Sequence, residues 1–262
     1  MIGQEDIKRQ LLQRLYNNIL PKVIIIVGEE RYGKKTLVKW FSQETNIPYT
    51  MFNNSIDSVR EAINLSIQES TKQFYVFENI EDNRATQNAI LKLLEDSPIN
   101  TYFFLLVKDI SILLPTVINR GIQINIPKYR IEDLKQFNDD ELALKIFDNP
   151  SQLIRVKDIN LQELINTTNK IIEKLDIANI SNALKLSSYI KSKDNPDGYD
   201  LAIFIKALKY SFLDLYTKTK DDSVERKFKI YEQCLINAKQ DQKFFMDQFI
   251  IKNYMEIKGW KY

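Results

Sequence analysis

Histidine is absent from these 262 residues, and cysteine occurs once, at Cys234. A lone cysteine closes no internal disulfide, and without histidine the usual zinc donor sets cannot be assembled. The same absence removes every nucleophile–imidazole pair of the Ser-His-Asp or Cys-His kind. Any chemistry must come from carboxylates, lysine, arginine, hydroxyls or a bound nucleotide. Long apolar runs are missing too. The longest early one, residues 23–27, falls far short of a membrane helix and lacks signal-peptide flanks. A cytoplasmic protein with no membrane association is expected.

Neither sign of charge is in excess: 37 Lys and Arg stand against 35 Asp and Glu, for a net charge of +2. Contact with nucleic acid must therefore be a local patch or be shared with partners. Glycine is scarce, with 6 in the chain, so Gly28 and Gly33 lying close together call for a reason. What is present is the composition of a soluble globular protein, 44% hydrophobic and 27% charged, long enough for more than one domain.

Short β-branched or aromatic runs at 23–27, 48–52, 74–77, 102–107 and 122–126 alternate with helical patterns at 7–17, 34–43, 56–69 and 86–95. Continuous apolar strands separated by helices predict an α/β domain with a parallel five-stranded sheet covered on both faces. Beyond Pro127 helical periodicity dominates, over 131–136, 139–147, 151–156, 161–175, 177–190, 199–217, 224–238 and 242–255, with a loop at 191–198. The expected organisation is an α/β domain at 1–127, a small helical domain at 128–157 and a helical C-terminal domain at 158–262.

The strand ending at Val27 runs into Gly28-Glu29-Glu30-Arg31-Tyr32-Gly33-Lys34-Lys35-Thr36, and a helix follows. Strand, Gly-x4-Gly-Lys, helix is the context of a phosphate-binding loop, whose glycines let backbone amides at a helix N-terminus face phosphate oxygens. An ordinary strand–helix turn with two glycines is the competing reading. The residue after Lys34 should carry the hydroxyl that holds Mg²⁺; here it is Lys35. Thr36 comes one residue late, about 100° around the helix. Phosphate binding by ATP or ADP is retained in this pattern, while Mg²⁺ is disfavoured by the cation at Lys35. The next strand ends in Glu78-Asn79 where such sites carry Asp and Glu, so the general base is missing unless Glu81 or Asp82 substitutes.

The segments that follow are more specific. Residues 85–98, Ala-Thr-Gln-Asn-Ala-Ile-Leu-Lys-Leu-Leu-Glu-Asp-Ser-Pro, resemble the "A-x-Q-N-A-L-L-K-x-L-E-E-P-P" segment of AAA+ clamp-loader subunits. Periodicity alone would read Gln87–Glu95 as a plain amphipathic helix. The stretch 101–109 resembles the family's sensor-1 strand, and Leu113-Leu114-Pro115-Thr116-Val117-Ile118-Asn119-Arg120-Gly121 resembles "L-L-P-T-I-x-S-R-C". Ile2-Gly3-Gln4-Glu5 and Ser55–Arg60 resemble two further boxes of the same proteins. The order of these segments across residues 2–127 outweighs the plain-helix reading.

The resemblance implies an AAA+ P-loop domain followed by all-helical lid and collar domains. Gly28, Gly33, Lys34, Lys35, Thr36 and Glu78 would lie at the nucleotide, Arg120 would be an arginine finger acting on a neighbouring subunit, and Arg60 would reach a DNA phosphate. Its departures are Lys35, Asn79, Lys108 at sensor 1, and Gln152 where the lid would carry a sensor-2 arginine. That combination is most similar to the delta-prime subunit of bacterial DNA polymerase III, which lacks hydrolysis of its own, although the zinc module common in delta-prime proteins is missing here. The implied partners are other clamp-loader subunits in a hetero-oligomeric ring, a sliding clamp and primer-template DNA. Two alternatives stay open. One is an active AAA+ ATPase subunit, replication factor C small-subunit-like or phage-encoded, in which Thr36 and Glu78 rescue the metal. The other is a binding protein of related fold that has left replication. For Arg120 the plainer role is complementing a helix C-terminus; for Arg60 it is a solvated helix face.

Overall fold

Residues 4–68, 71–96, 98–175, 189–190, 198–237 and 245–258 are described by the computed structural model. The apolar runs form strands β1 (Val23–Val27), β2 (Tyr49–Phe52), β3 (Gln73–Glu78), β4 (Thr101–Val107) and β5 (Ile122–Asn125). All pair in parallel, in the order β2-β3-β4-β1-β5. Parallel neighbours require crossovers, supplied by α2 (Lys34–Thr45), α3 (Ile56–Gln68), α4 (Arg84–Glu95) and α5 (Pro115–Ile118); α1 (Glu5–Tyr16) precedes β1.

Side chains alternate across the three central strands, and both faces are dry. Val23, Ile25, Tyr75, Phe77, Phe103 and Leu105 pack with Val59, Ala62, Ile90 and Leu93 on the side of α3 and α4. Ile24, Ile26, Phe74, Val76, Phe104 and Leu106 pack with Leu11, Leu37, Val38 and Phe41 on the side of α1 and α2. Double coverage explains why these strands read as continuous apolar runs rather than as alternating ones. Phe41 stacks on Phe74 at 5.1 Å between ring centroids, and Phe74 meets Phe104 edge-on. Full burial of one such ring stabilises the fold by about 1.5–3 kcal/mol.

Beyond β5 the described elements are helices Ile131–Lys135, Glu141–Ile146, Pro150–Arg155, Leu161–Lys174, Leu201–Thr219, Asp222–Asn237 and Phe245–Ile257, with one bridge between Ile190 and Tyr199. The chain divides into two compact units, Met1–Asp133 and Leu134–Tyr262. Within the second, Thr168 and Ser211 share a buried hydrogen bond of 2.6 Å, and Phe212, Tyr231, Phe245 and Phe249 form an aromatic core. No helix among the described residues is long and apolar enough to cross a membrane.

Element boundaries differ from expectation where capping decides them. The helix expected over 86–95 starts at Arg84, because the Asn83 side chain accepts from the amides of Ala85 and Thr86 at 3.0 and 3.3 Å. The helix expected over 139–147 is confined to Glu141–Ile146 by Asp140, which accepts from Ala143 N–H at 2.8 Å. The helix at 177–190 and the loop at 191–198 fall almost wholly outside the described residues.

Candidate functional site

Parallel strands bring their C-terminal ends to one edge, and ligands of open α/β sheets bind there. Three chain ends meet at that edge here. Gly28 leaves β1 with its N–H on Val107 O at 3.1 Å, and Asn79 leaves β3 with its N–H on Leu106 O at 3.2 Å. Lys108 directly follows β4. The loop after β1, the carboxylates after β3 and the lysine after β4 are therefore neighbours by strand register.

The loop turns into α2 at Gly33, whose φ of 91° lies in the left-handed region that glycine enters without strain. Arg31 adopts φ 65° without that freedom, at a cost of about 1–2 kcal/mol. No side chain caps the first turn of α2, so its amide donors are available to an anion. Lys34 folds back on the loop and donates to the carbonyls of Gly28 and, at 3.0 Å, Glu29. Burial lowers the pKa of this ammonium, against the charges of Glu81, Glu30 and Glu29, which raise it.

Lys35 and Glu78 form an ion pair at 2.6 Å, joining the start of α2 to the end of β3. The ammonium therefore neutralises the Glu78 carboxylate at the end of β3. Thr36 is exposed, and so is Asn79, which takes φ 53°. Lys108 Nζ lies 3.8 Å from Glu29 Oε2 and ties the end of β4 to the loop. Among the described residues no group of three or more His, Cys, Asp or Glu is arranged to hold a metal ion. The uncapped first turn of α2, with Lys34 beside it, offers donors to an anion.

Glu81, the candidate substitute base, is buried at 6% exposure. Its Oε1 accepts from Lys108 N–H at 2.6 Å, while the buried Oε2 has no hydrogen-bond partner. Burial pushes this carboxyl above its ordinary value near 4.5, against the pull of the Lys108 amide and the Lys34 charge. A carboxyl raised on folding costs stability when ionised, and that cost fades as pH falls through the folded value toward the unfolded one. Glu81→Gln is thus expected to raise the urea midpoint at pH 7, with the advantage shrinking toward pH 5. Equal midpoint differences at both pH values would contradict the burial argument.

Gln87 is the connector that sequence patterning hides within an amphipathic helix. Buried at 1% exposure, it donates to the carbonyls of Glu81 at 3.3 Å and Ile112 at 3.4 Å, and accepts from Leu114 N–H at 2.7 Å. It links the segment after β3 to the segment before α5. Just past α5, Arg120 pairs through Nη2 with Glu95 Oε1 at 2.5 Å, both side chains 47% exposed. Arg60 is exposed on α3 and pairs with Asp57 at 3.0 Å. Gln152, in the second unit, is buried in a reciprocal cap: Asn149 accepts from its N–H at 3.0 Å and donates to its Oε1 at 2.6 Å. The functional candidates thus fall into a cluster at Gly28, Gly33, Lys34, Lys35 and Glu78, joined by Glu81 and Lys108, with Arg120 and Arg60 on separate elements.

Residues 49–130 match the family described as DNA polymerase III, delta subunit. This stretch runs from β2 past β5 and includes Gln87 and Arg120, but begins after the phosphate loop. A curated relative, the uncharacterized protein MG007 homolog of Mycoplasma pneumoniae, is 29% identical over 116 residues, covering 42% of this chain and 46% of that protein. The match therefore spans about half the length of that relative. A DNA polymerase III gamma-subunit-related protein from Thermotoga maritima superposes with a TM-score of 0.60 at 14% identity, covering 95% of this chain and 99% of its own. The chain therefore has the fold of that Thermotoga maritima protein, an all-parallel five-stranded sheet with flanking helices and further helices after it.

Proposed function

We propose that this clamp-loader-like AAA+ chain is a delta-prime-like subunit of a DNA polymerase III clamp loader, unable to hydrolyse ATP itself, that offers Arg120 to a neighbouring subunit's ATP. The observation that carries the reading is the Lys35–Glu78 pair at 2.6 Å. It supplies internally the positive charge that Mg²⁺ would bring, on the carboxylate that would otherwise hold the ion. Asn79, unable to take a proton from water, stands in the position of the general base.

Gly28, Gly33, Lys34 and the amides of α2 would then cradle the phosphates of ATP or ADP, a binding role without turnover. Residues 128–157 would serve as lid and 158–262 as collar, in a ring with sibling subunits that acts on a sliding clamp at primer-template DNA. Purified chain with ATP and Mg²⁺ is expected to release no phosphate above background. Turnover abolished by Lys34→Ala would replace this reading with an active ATPase subunit.

Arg60 is proposed to meet a DNA phosphate, exchanging its exposed partner Asp57 for it. An exposed pair is worth only about 0–1 kcal/mol, so the exchange is cheap. Arg60→Ala should flatten the salt dependence of loader–DNA binding by about one phosphate contact, a change of ~0.9 in log–log slope. An unaltered slope removes this role.

A further inference from the structure

We propose that Glu95 is a positioning residue for Arg120: its carboxylate holds one edge of the guanidinium, so that the other edge is presented, ordered in advance, to phosphate on an adjacent subunit. The inference rests on the reading of Arg120 given above.

The pair joins two separate elements. Glu95 is the last residue of α4, and Arg120 lies two residues past the end of α5. A carboxylate at the C-terminal end of a helix is disfavoured by the helix dipole, so Glu95 does not stand there for the sake of α4. A cation beside it makes the position favourable, and Arg120 Nη2 is that cation at 2.5 Å.

The backbone under Arg120 is seated as well. A Cβ at Gly121 would lie 2.8 Å from both Val23 O and Val23 Cγ1, so the turn rests directly against the start of β1. The amides of Asn119, Arg120 and Gly121 bond back to Pro115, Val117 and Ile118. Arg120 therefore leaves from a fixed point, and its long side chain is the remaining loose part. An arginine carries five donors in a planar fork. The bond to Glu95 uses Nη2 and constrains the plane, while the half-exposed side chain keeps donors for a second acidic group. Ordering those rotamers beforehand removes an entropic cost from the encounter with phosphate. A phosphate meeting the remaining donors would lie across the guanidinium from the Glu95 carboxylate, its repulsion offset by the intervening cation.

The test uses the loader reconstituted from this chain and its sibling subunits, with ATP and primed DNA, comparing wild type, Glu95→Ala, Glu95→Gln, Arg120→Ala and the double alanine variant. Glu95→Ala should lower the single-turnover rate at the site that Arg120 faces on the order of tenfold, with ATP affinity and assembly unchanged, since orientation rather than binding is lost. Glu95→Gln, whose amide oxygen still accepts from Nη2, should recover most of the rate. Glu95→Ala should add nothing to Arg120→Ala, because it acts through that residue. If Arg120→Ala slows turnover and Glu95→Ala does not, or if the two losses add, the positioning role is overturned and the reading of Arg120 stands. If Arg120→Ala is silent, both fall.

Discussion

Arg120→Ala is expected to leave the chain folded and assembling while ATP turnover at the neighbouring site falls on the order of 10³-fold, the lower end of what an arginine finger contributes to phosphoryl transfer. The two halves of that expectation have different causes. Arg120 is half exposed and pairs with an equally exposed Glu95. Surface ion pairs of this kind contribute about 0–1 kcal/mol to stability, so little folding energy is at stake. The catalytic half comes from charge that spreads over the γ-phosphate oxygens as the terminal bond breaks, which a preorganised guanidinium meets with parallel donors. Lysine at position 120 should not restore the rate, because a point charge cannot reproduce the planar fork. In an assembly with several ATP sites the bulk rate would fall only by the share of the site that Arg120 is proposed to serve, so single-turnover measurements are the sensitive ones. An unchanged single-turnover rate would end the assignment.

Gly121→Ala carries the second large effect, and it falls on stability. The objection to a side chain here is space alone. The added methyl would meet Val23 O at 2.8 Å, closer than carbon and backbone oxygen tolerate. Val23 is buried at 1% exposure in β1, whose neighbours β4 and β5 leave it no room to move aside. Forcing extra volume into such a contact costs about 1–3 kcal/mol. The strain would displace the turn that carries Arg120, so on the role proposed for that residue the reconstituted loader should slow as well, a coupling that a remote destabilising substitution would not show. Urea denaturation of the purified chain checks the first part; a variant as stable as the parent would mean that the turn does not rest on β1.

Several long-range features could not be reached from residue order. The run 23–27 is apolar at every position because β1 is covered on both faces, and this was readable as a buried parallel strand. Strand order was not, since nothing in β1 says that β4 and β5 are its neighbours. The loop from Gly28 to Lys34 was legible because its chemistry is contiguous. The competing bonds of Lys34, to carbonyls of its own loop, were not. Likewise Gln152 stood out only as a missing arginine, whereas the fold uses it to cap the helix Pro150–Arg155 with Asn149.

Residue order was enough to specify strands, helices, the glycine-bearing turn and the identity of each charged group near it, because periodicity and turn chemistry act over a few residues. The fate of those charges was settled only by folding. Lys35 and Glu78, Lys108 and Glu29, Arg120 and Glu95, and the buried Glu81 bonded to the Lys108 amide come from segments that only the packed fold brings together. Electrostatic attraction and desolvation depend on distance and burial rather than on separation along the chain.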